Sequence, residues 1–236
     1  MRSQVEGLRD QFLDELTQWY AFFIHTANAY ELAIKEVTRS NRGVNIFYSA
    51  VRPSIKDYLA SPNTLISTLG TYRDKDLQVW VFIQFVMVFE TFFFELLKLL
   101  MANNPLSMPR KDKTLEWRIV IECADRDEIL TKIIETELNQ VKYETVSGWF
   151  KYLDKVITIG KLAENEREQL AEMKASRDII VHNAGIVNDI YLKKAGALAR
   201  YPKGASLEIP LDYFVESFRI VIGLVGDIGD YVAGKV

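Results

Sequence analysis

Arg177, Asp178 and His182 stand within six consecutive residues, and together they could handle a proton beside a developing negative charge. An imidazole titrates near neutral pH and so serves as a general acid or base. A guanidinium can hold an anionic oxygen, the electrostatic contribution that usually dominates such catalysis. Asp178 and His182 are four residues apart and share a helix face, so the carboxylate is expected to orient the imidazole and favour its protonated form. The C-terminal end of a helix, where His182 is expected, favours a cation in the same way. The alternative is an exposed histidine making an ordinary helix-end hydrogen bond. His25, the other histidine, lies in an aromatic-rich helical stretch and reads as structural.

A second ionisable group sits where burial is expected. Glu90 has Val86, Met87, Phe93 and Phe94 as its neighbours three and four positions away, an apolar face on which a carboxylate is costly unless it is paired, protonated or open to a cleft. Arg177 shares a face with Leu170, Met173, Ile180 and Val181, so it too points toward a core or an interface. The two helical wheels predict that Arg177 pairs with Glu90. Such a pair can fix helix register as readily as it can serve chemistry.

These residues need helices to position them, and the periodicity supplies them. Leu8, Phe12, Leu16, Tyr20, Phe23 and Ala27 repeat at three and four over residues 5–37. A second helix is expected over 44–60, started or interrupted at Pro53. An irregular segment should follow between Pro62 and Gly70. Residues 74–102 form a helix apolar nearly all round, its polar stripe being Gln84, Thr91, Glu95 and Lys98, as befits a central or interface helix. Further helices are expected at 114–141, 144–158, 163–184 and 211–233, with a short strand at Leu207–Ile209. No repeat or linker is visible, and the expectation is an all-α bundle.

Composition narrows the function classes. The 236 residues carry a formal net charge of −3, which argues against a protein coated with phosphate-binding residues. Basic clusters at Arg110-Lys111-Lys113 and Lys193-Lys194-Arg200-Lys203 read individually as solvated loops. The single Cys123 leaves no intramolecular disulfide, and no Cys/His cluster suggests zinc or any other metal. The N-terminus lacks an apolar leader segment, and the most apolar run, Val79 to Phe89, is shorter than a bilayer span. A cytoplasmic protein without membrane contact is expected.

The segment Ala175-Ser176-Arg177-Asp178-Ile179-Ile180-Val181-His182-Asn183-Ala184-Gly185-Ile186-Val187 resembles the signature of the HEPN family. That signature is an Arg followed after four to six residues by His, with a polar residue directly after the Arg. The trailing His-Asn-x-Gly-Ile-Val is similar to bacterial members of the RiboL-PSP type, and Phe89-Glu90-x-Phe92 resembles the aromatic-acidic stretch of an earlier core helix. The resemblance covers about residues 75–235 and divides the chain into a HEPN-like domain at 71–236 and a helical extension at 1–70 packed on it.

The resemblance implies a homodimer whose two motifs meet, acting on RNA as a metal-independent endoribonuclease without a cofactor. His182 would handle the proton of the 2′-hydroxyl or of the leaving 5′-oxygen. Arg177 would stabilise the phosphorane, Asp178 would tune His182, Glu90 would support Arg177, and Asn183 would position the phosphate. Toxin–antitoxin and defence systems are the implied settings, with an antitoxin or defence partner. HEPN toxins paired with a nucleotidyltransferase carry a Tyr two residues after the His; Ala184 stands there, so that subtype is not expected. The competing reading is a non-catalytic HEPN-like module that binds nucleotides or partners, since fold does not settle function.

Overall fold

The computed structural model describes residues 1–46, 58–109 and 117–236. The described chain is all-α apart from one short strand pair. Its helices are α1 (Arg2–Ser40), α2 (Pro62–Thr71), α3 (Leu77–Asn103), α4 (Trp117–Glu122), α5 (Arg126–Lys142), α6 (Val146–Val156), α7 (Glu164–His182), α8 (Asp189–Ala195) and α9 (Leu211–Ala233). A π-helical turn, Tyr72–Asp76, joins α2 to α3 without a break.

The core is organised around α3, whose Val81, Phe82, Phe85, Val86, Phe89, Phe92 and Phe93 are all fully buried. Helix α1 is laid along α3 and α9 and contributes to the same core rather than forming one of its own. Phe12 meets Phe92 edge to face at 5.7 Å, Tyr20 stacks on Phe218 at 4.4 Å, and Phe23 packs on Phe214 at 4.4 Å. Aromatic pairs of this kind add about 0.5–1.5 kcal/mol each beyond their buried area. At Gly229 the backbone of α9 passes so close that a Cβ there would lie 2.6 Å from Arg9 Cγ. His25, expected to be structural, is exposed on α1.

Three expectations of helix placement need correction. The helix expected at 44–60 is replaced at its ends by antiparallel strands β1 (Val44–Ile46) and β2 (Tyr58–Ala60), with Val44 opposite Ala60. Extended backbone suits the β-branched Val44 and Ile46. Residues 47–57, including Pro53, lie outside the described residues. The irregular segment expected between Pro62 and Gly70 is helical: the Ser61 hydroxyl accepts the Thr64 N–H at 3.2 Å, and Pro62 occupies the first helical position, where it initiates a helix. The helix expected at 114–141 is broken before α5. There Asp125 accepts the Glu128 N–H at 2.9 Å and Glu128 Oε2 accepts the Ala124 N–H at 2.7 Å, a reciprocal cap that starts a new helix.

The strand expected at Leu207–Ile209 does not form. Ser206 makes an isolated antiparallel bridge with Ile186, and Leu207 and Ile209 are buried as anchors of an extended segment. By length and composition, the continuous helix 62–103 could cross a bilayer, which the run at Val79–Phe89 alone did not suggest. However, 67% of its most apolar window is buried inside the fold, as in the core helix of a soluble protein.

Candidate active site

Helix α7 begins after Ala163, which adopts a left-handed conformation (φ 55°), and Glu164 and Glu166 occupy its first turn, where the helix dipole favours carboxylates. It ends at His182 in a tight turn. The Gly185 N–H reaches back to the Ile179 carbonyl at 3.0 Å, with Ala184 (φ 51°) and Gly185 (φ 75°) both left-handed, an arrangement for which glycine is suited. The Asn183 amide donates to the Ile186 carbonyl at 2.6 Å, and the buried Val187 donates its N–H to the Ala205 carbonyl at 2.9 Å. The His-Asn-x-Gly-Ile-Val run therefore builds the turn that presents His182. Asn183 is exposed, with one side-chain N–H committed to that turn.

The pairing deduced from two helical wheels is present. Arg177 Nη2 donates to Glu90 Oε2, joining α7 to α3, and the Arg177 side chain is only 13% exposed. Lys174 Nζ lies 2.9 Å from the other Glu90 oxygen and 3.4 Å from Asp178. Arg177 Nη1 stands 3.2 Å from Asp178, and Lys194 of α8 donates to the same carboxylate at 3.0 Å. Arg177 Nε is buried and has no hydrogen-bond partner among the described residues. The face expected to carry Ile180 and Val181 inward turns toward solvent at its end, where Val181 is 51% exposed.

Asp178 does not hold the His182 ring as expected. Its carboxylate is spent on Lys174, Arg177 and Lys194, and it makes no hydrogen bond to the imidazole. Burial pushes the Asp178 carboxyl up, but the charge of Lys174, the hydrogen bond from Lys194 and the charge of Arg177 outweigh it and hold the group below its ordinary value. His182 is exposed and makes no hydrogen bond or ion pair to any described residue. Exposed Val181 and Ile186 flank it along the chain.

A second polar cluster escaped the sequence reading. Glu172, on α7 and 3% exposed, accepts from Ser176 at 2.7 Å, Tyr191 at 2.9 Å, Arg200 at 3.0 Å and Tyr213 at 2.5 Å. Arg200 also stacks its guanidinium 3.5 Å from the centre of the Tyr213 ring and donates to the Glu208 carbonyl at 3.0 Å. Burial drives the Tyr213 hydroxyl well above its usual pKa, and the negative charge of Glu172 pushes it the same way. The cluster staples the segment after α8 onto α7 and so supports the turn beyond His182.

The basic group Lys193-Lys194-Arg200-Lys203 is therefore not a uniform solvated loop. Lys194 pairs with Asp178, Arg200 with Glu172, and Lys203 with Asp189 at 2.6 Å. The other basic group, Arg110-Lys111-Lys113, lies outside the described residues. Among the described residues no three His, Cys, Asp or Glu side chains are grouped to hold a metal ion. Comparison with family models, curated proteins and solved structures finds no match to this chain. The resemblance to HEPN proteins thus rests on the Arg177–Val187 segment and the Phe89-Glu90 stretch.

Proposed function

We propose that the chain is a metal-independent endoribonuclease of the HEPN type, acting as a homodimer that brings two copies of His182 to one RNA strand. One observation carries this reading: an exposed imidazole with no partner among the described residues stands at the end of α7, five residues beyond a guanidinium that Glu90 holds in place. The chemistry requires a group to take the proton of the 2′-hydroxyl as its oxygen bonds to phosphorus. Another must give a proton to the 5′-oxygen as its bond to phosphorus breaks. Two His182 side chains supply both roles, and the products are a 2′,3′-cyclic phosphate and a 5′-hydroxyl. Arg177 stabilises the charge on the phosphorane. Asp178 fixes Arg177 and Lys194, and Asn183 shapes the turn. Val181 and Ile186 provide apolar surface beside His182 for the second copy. An antitoxin or defence-system partner would act by covering the same surface.

A second reading, a non-catalytic HEPN-like nucleotide- or partner-binding module, is favoured by the pairing of Arg177 and Asp178 with neighbouring charges, which suits a structural brace. Cleavage of several RNAs in EDTA by the wild type and by His182→Ala, with analysis of product ends, separates the two. Cyclic-phosphate ends from the wild type, reduced about 10²–10⁴-fold in the variant, support the nuclease. No cleavage by either folded protein supports the binding module.

A further inference from the structure

A cleft of about 330 Å³ opens where α3, α6, α7 and the end of α5 converge, within the size range of small-molecule sites. Its lining includes Glu90 and Lys174, which also belong to the ion-pair cluster around Arg177, so the cleft adjoins that cluster directly. The rest of the wall combines aromatic bulk with opposed charges. Phe94 and Trp149 pack edge to face at 5.0 Å. The Lys142 ammonium sits 5.4 Å from the centre of the Phe94 ring, and that of Lys174 sits 5.4 Å from the Trp149 ring.

Two of these charges are unspent. Lys142 and Glu95 are both exposed, and neither has an ion-pair partner among the described residues. Trp149 is 2% exposed, yet its Nε1–H is buried without an acceptor among the described residues. A partner for this wall must therefore present an anion to the lysines, a donor to Glu95 and a compact body against the aromatic residues.

We propose that this cleft is a nucleotide subsite, holding one residue of the RNA strand with its phosphate on Lys142 and Lys174 and the exocyclic amine of its base on Glu95. A carboxylate accepts from such an amine as it does from cytosine N4. The inference rests on the ribonuclease reading for its substrate, and it adds that bases bearing an amine are preferred. Uracil presents a carbonyl at the corresponding position and leaves Glu95 without its donor.

The test titrates the full-length protein with cytidine, adenosine and uridine 5′-monophosphates, followed by NMR or calorimetry, for the wild type, Lys142→Ala and Glu95→Gln. The expected result is tighter binding of the two amino-bearing nucleotides than of uridine monophosphate. One lost charge-assisted hydrogen bond should weaken binding about tenfold in Lys142→Ala. Glu95→Gln should abolish the preference over uridine monophosphate. Equal binding of all three, or affinities unchanged in both variants, overturns the subsite. Because binding is read without cleavage, nucleotide selectivity in a protein that cuts no RNA would keep the subsite while ending the nuclease. Cleavage dependent on His182, with base preference unchanged in Glu95→Gln, would do the reverse.

Discussion

Replacing Glu172 by alanine removes the acceptor on which four side chains from α7, α8, α9 and the intervening segment converge. Arg200, whose side chain is 20% exposed, loses its counter-charge, and the hydroxyls of Ser176, Tyr191 and Tyr213 lose an acceptor. Breaking a buried ion pair from one side costs about 3–5 kcal/mol, because the surviving charge stays desolvated. That is a large share of the roughly 5–15 kcal/mol that separates a folded domain from its unfolded chain. Glu172→Gln keeps the shape and one acceptor oxygen, and its cost should be smaller, about 1–3 kcal/mol.

Equilibrium unfolding in urea, with the denaturant slope unchanged, measures both variants. The pair Glu172→Leu with Arg200→Leu completes a cycle: with both charges gone, no uncompensated ion remains, and the double variant should be more stable than the sum of the single losses. A Glu172→Ala cost below about 1 kcal/mol would show that water replaces the carboxylate and would refute the argument. Strict additivity in the cycle would refute the pairing itself.

Two further perturbations test the packing and the charge cluster. Gly229→Ala forces a Cβ to within 2.6–2.9 Å of the Arg9 stem. Overpacking of about 1–3 kcal/mol should outweigh the roughly 1 kcal/mol gained in helix propensity, so the melting temperature should fall, and Arg9→Ala should restore it only in part, because the Cβ it keeps lies 2.7 Å from the new one. Asp178 has its folded-state pKa held below the unfolded value of about 3.9, so its contribution is complete above that pH and is lost as pH falls through the folded value. Acid unfolding of Asp178→Asn should therefore lack part of the steepness seen below about pH 4 in the wild type. Identical acid limbs would show that this carboxylate is not the group being titrated.

Periodicity was enough to place the long elements. The last helix, expected at 211–233, runs over those residues, and α7 ends where Gly185 predicted. The Arg177–Glu90 pair was legible because each residue broke an apolar face whose other members had to be buried. What the sequence concealed was of two kinds. Local caps hid in plain residues: Ser61-Pro62 starts a helix where an irregular segment between Pro62 and Gly70 was expected, and Asp125 with Glu128 restarts one that periodicity would have run through. The Glu172 cluster was concealed for another reason. Its partners Tyr191 on α8, Arg200 in the Gly- and Pro-rich segment that follows and Tyr213 on α9 share no period, and only tertiary folding brings them onto α7. Lys174 lay in view, four residues before Asp178, whereas nothing local announced Lys194.

The destination of Asp178 changes what each member of the Arg177–His182 motif can contribute. Helical spacing alone offered the carboxylate to His182, yet three cations stand closer to it and claim it. Such a carboxylate is worth more as a brace, because the guanidinium it holds is nearly buried and a buried cation without an acceptor is costly. Glu90 and Asp178 set against Lys174, Arg177 and Lys194 leave one positive charge on the cluster. The field there favours an approaching phosphate without the strongly basic surface that a net charge of −3 denies the chain as a whole. His182, released from Asp178, keeps both ring nitrogens open to whatever arrives at the end of α7. On this reading the buried half of the motif fixes geometry and sign, and the exposed half supplies the proton chemistry.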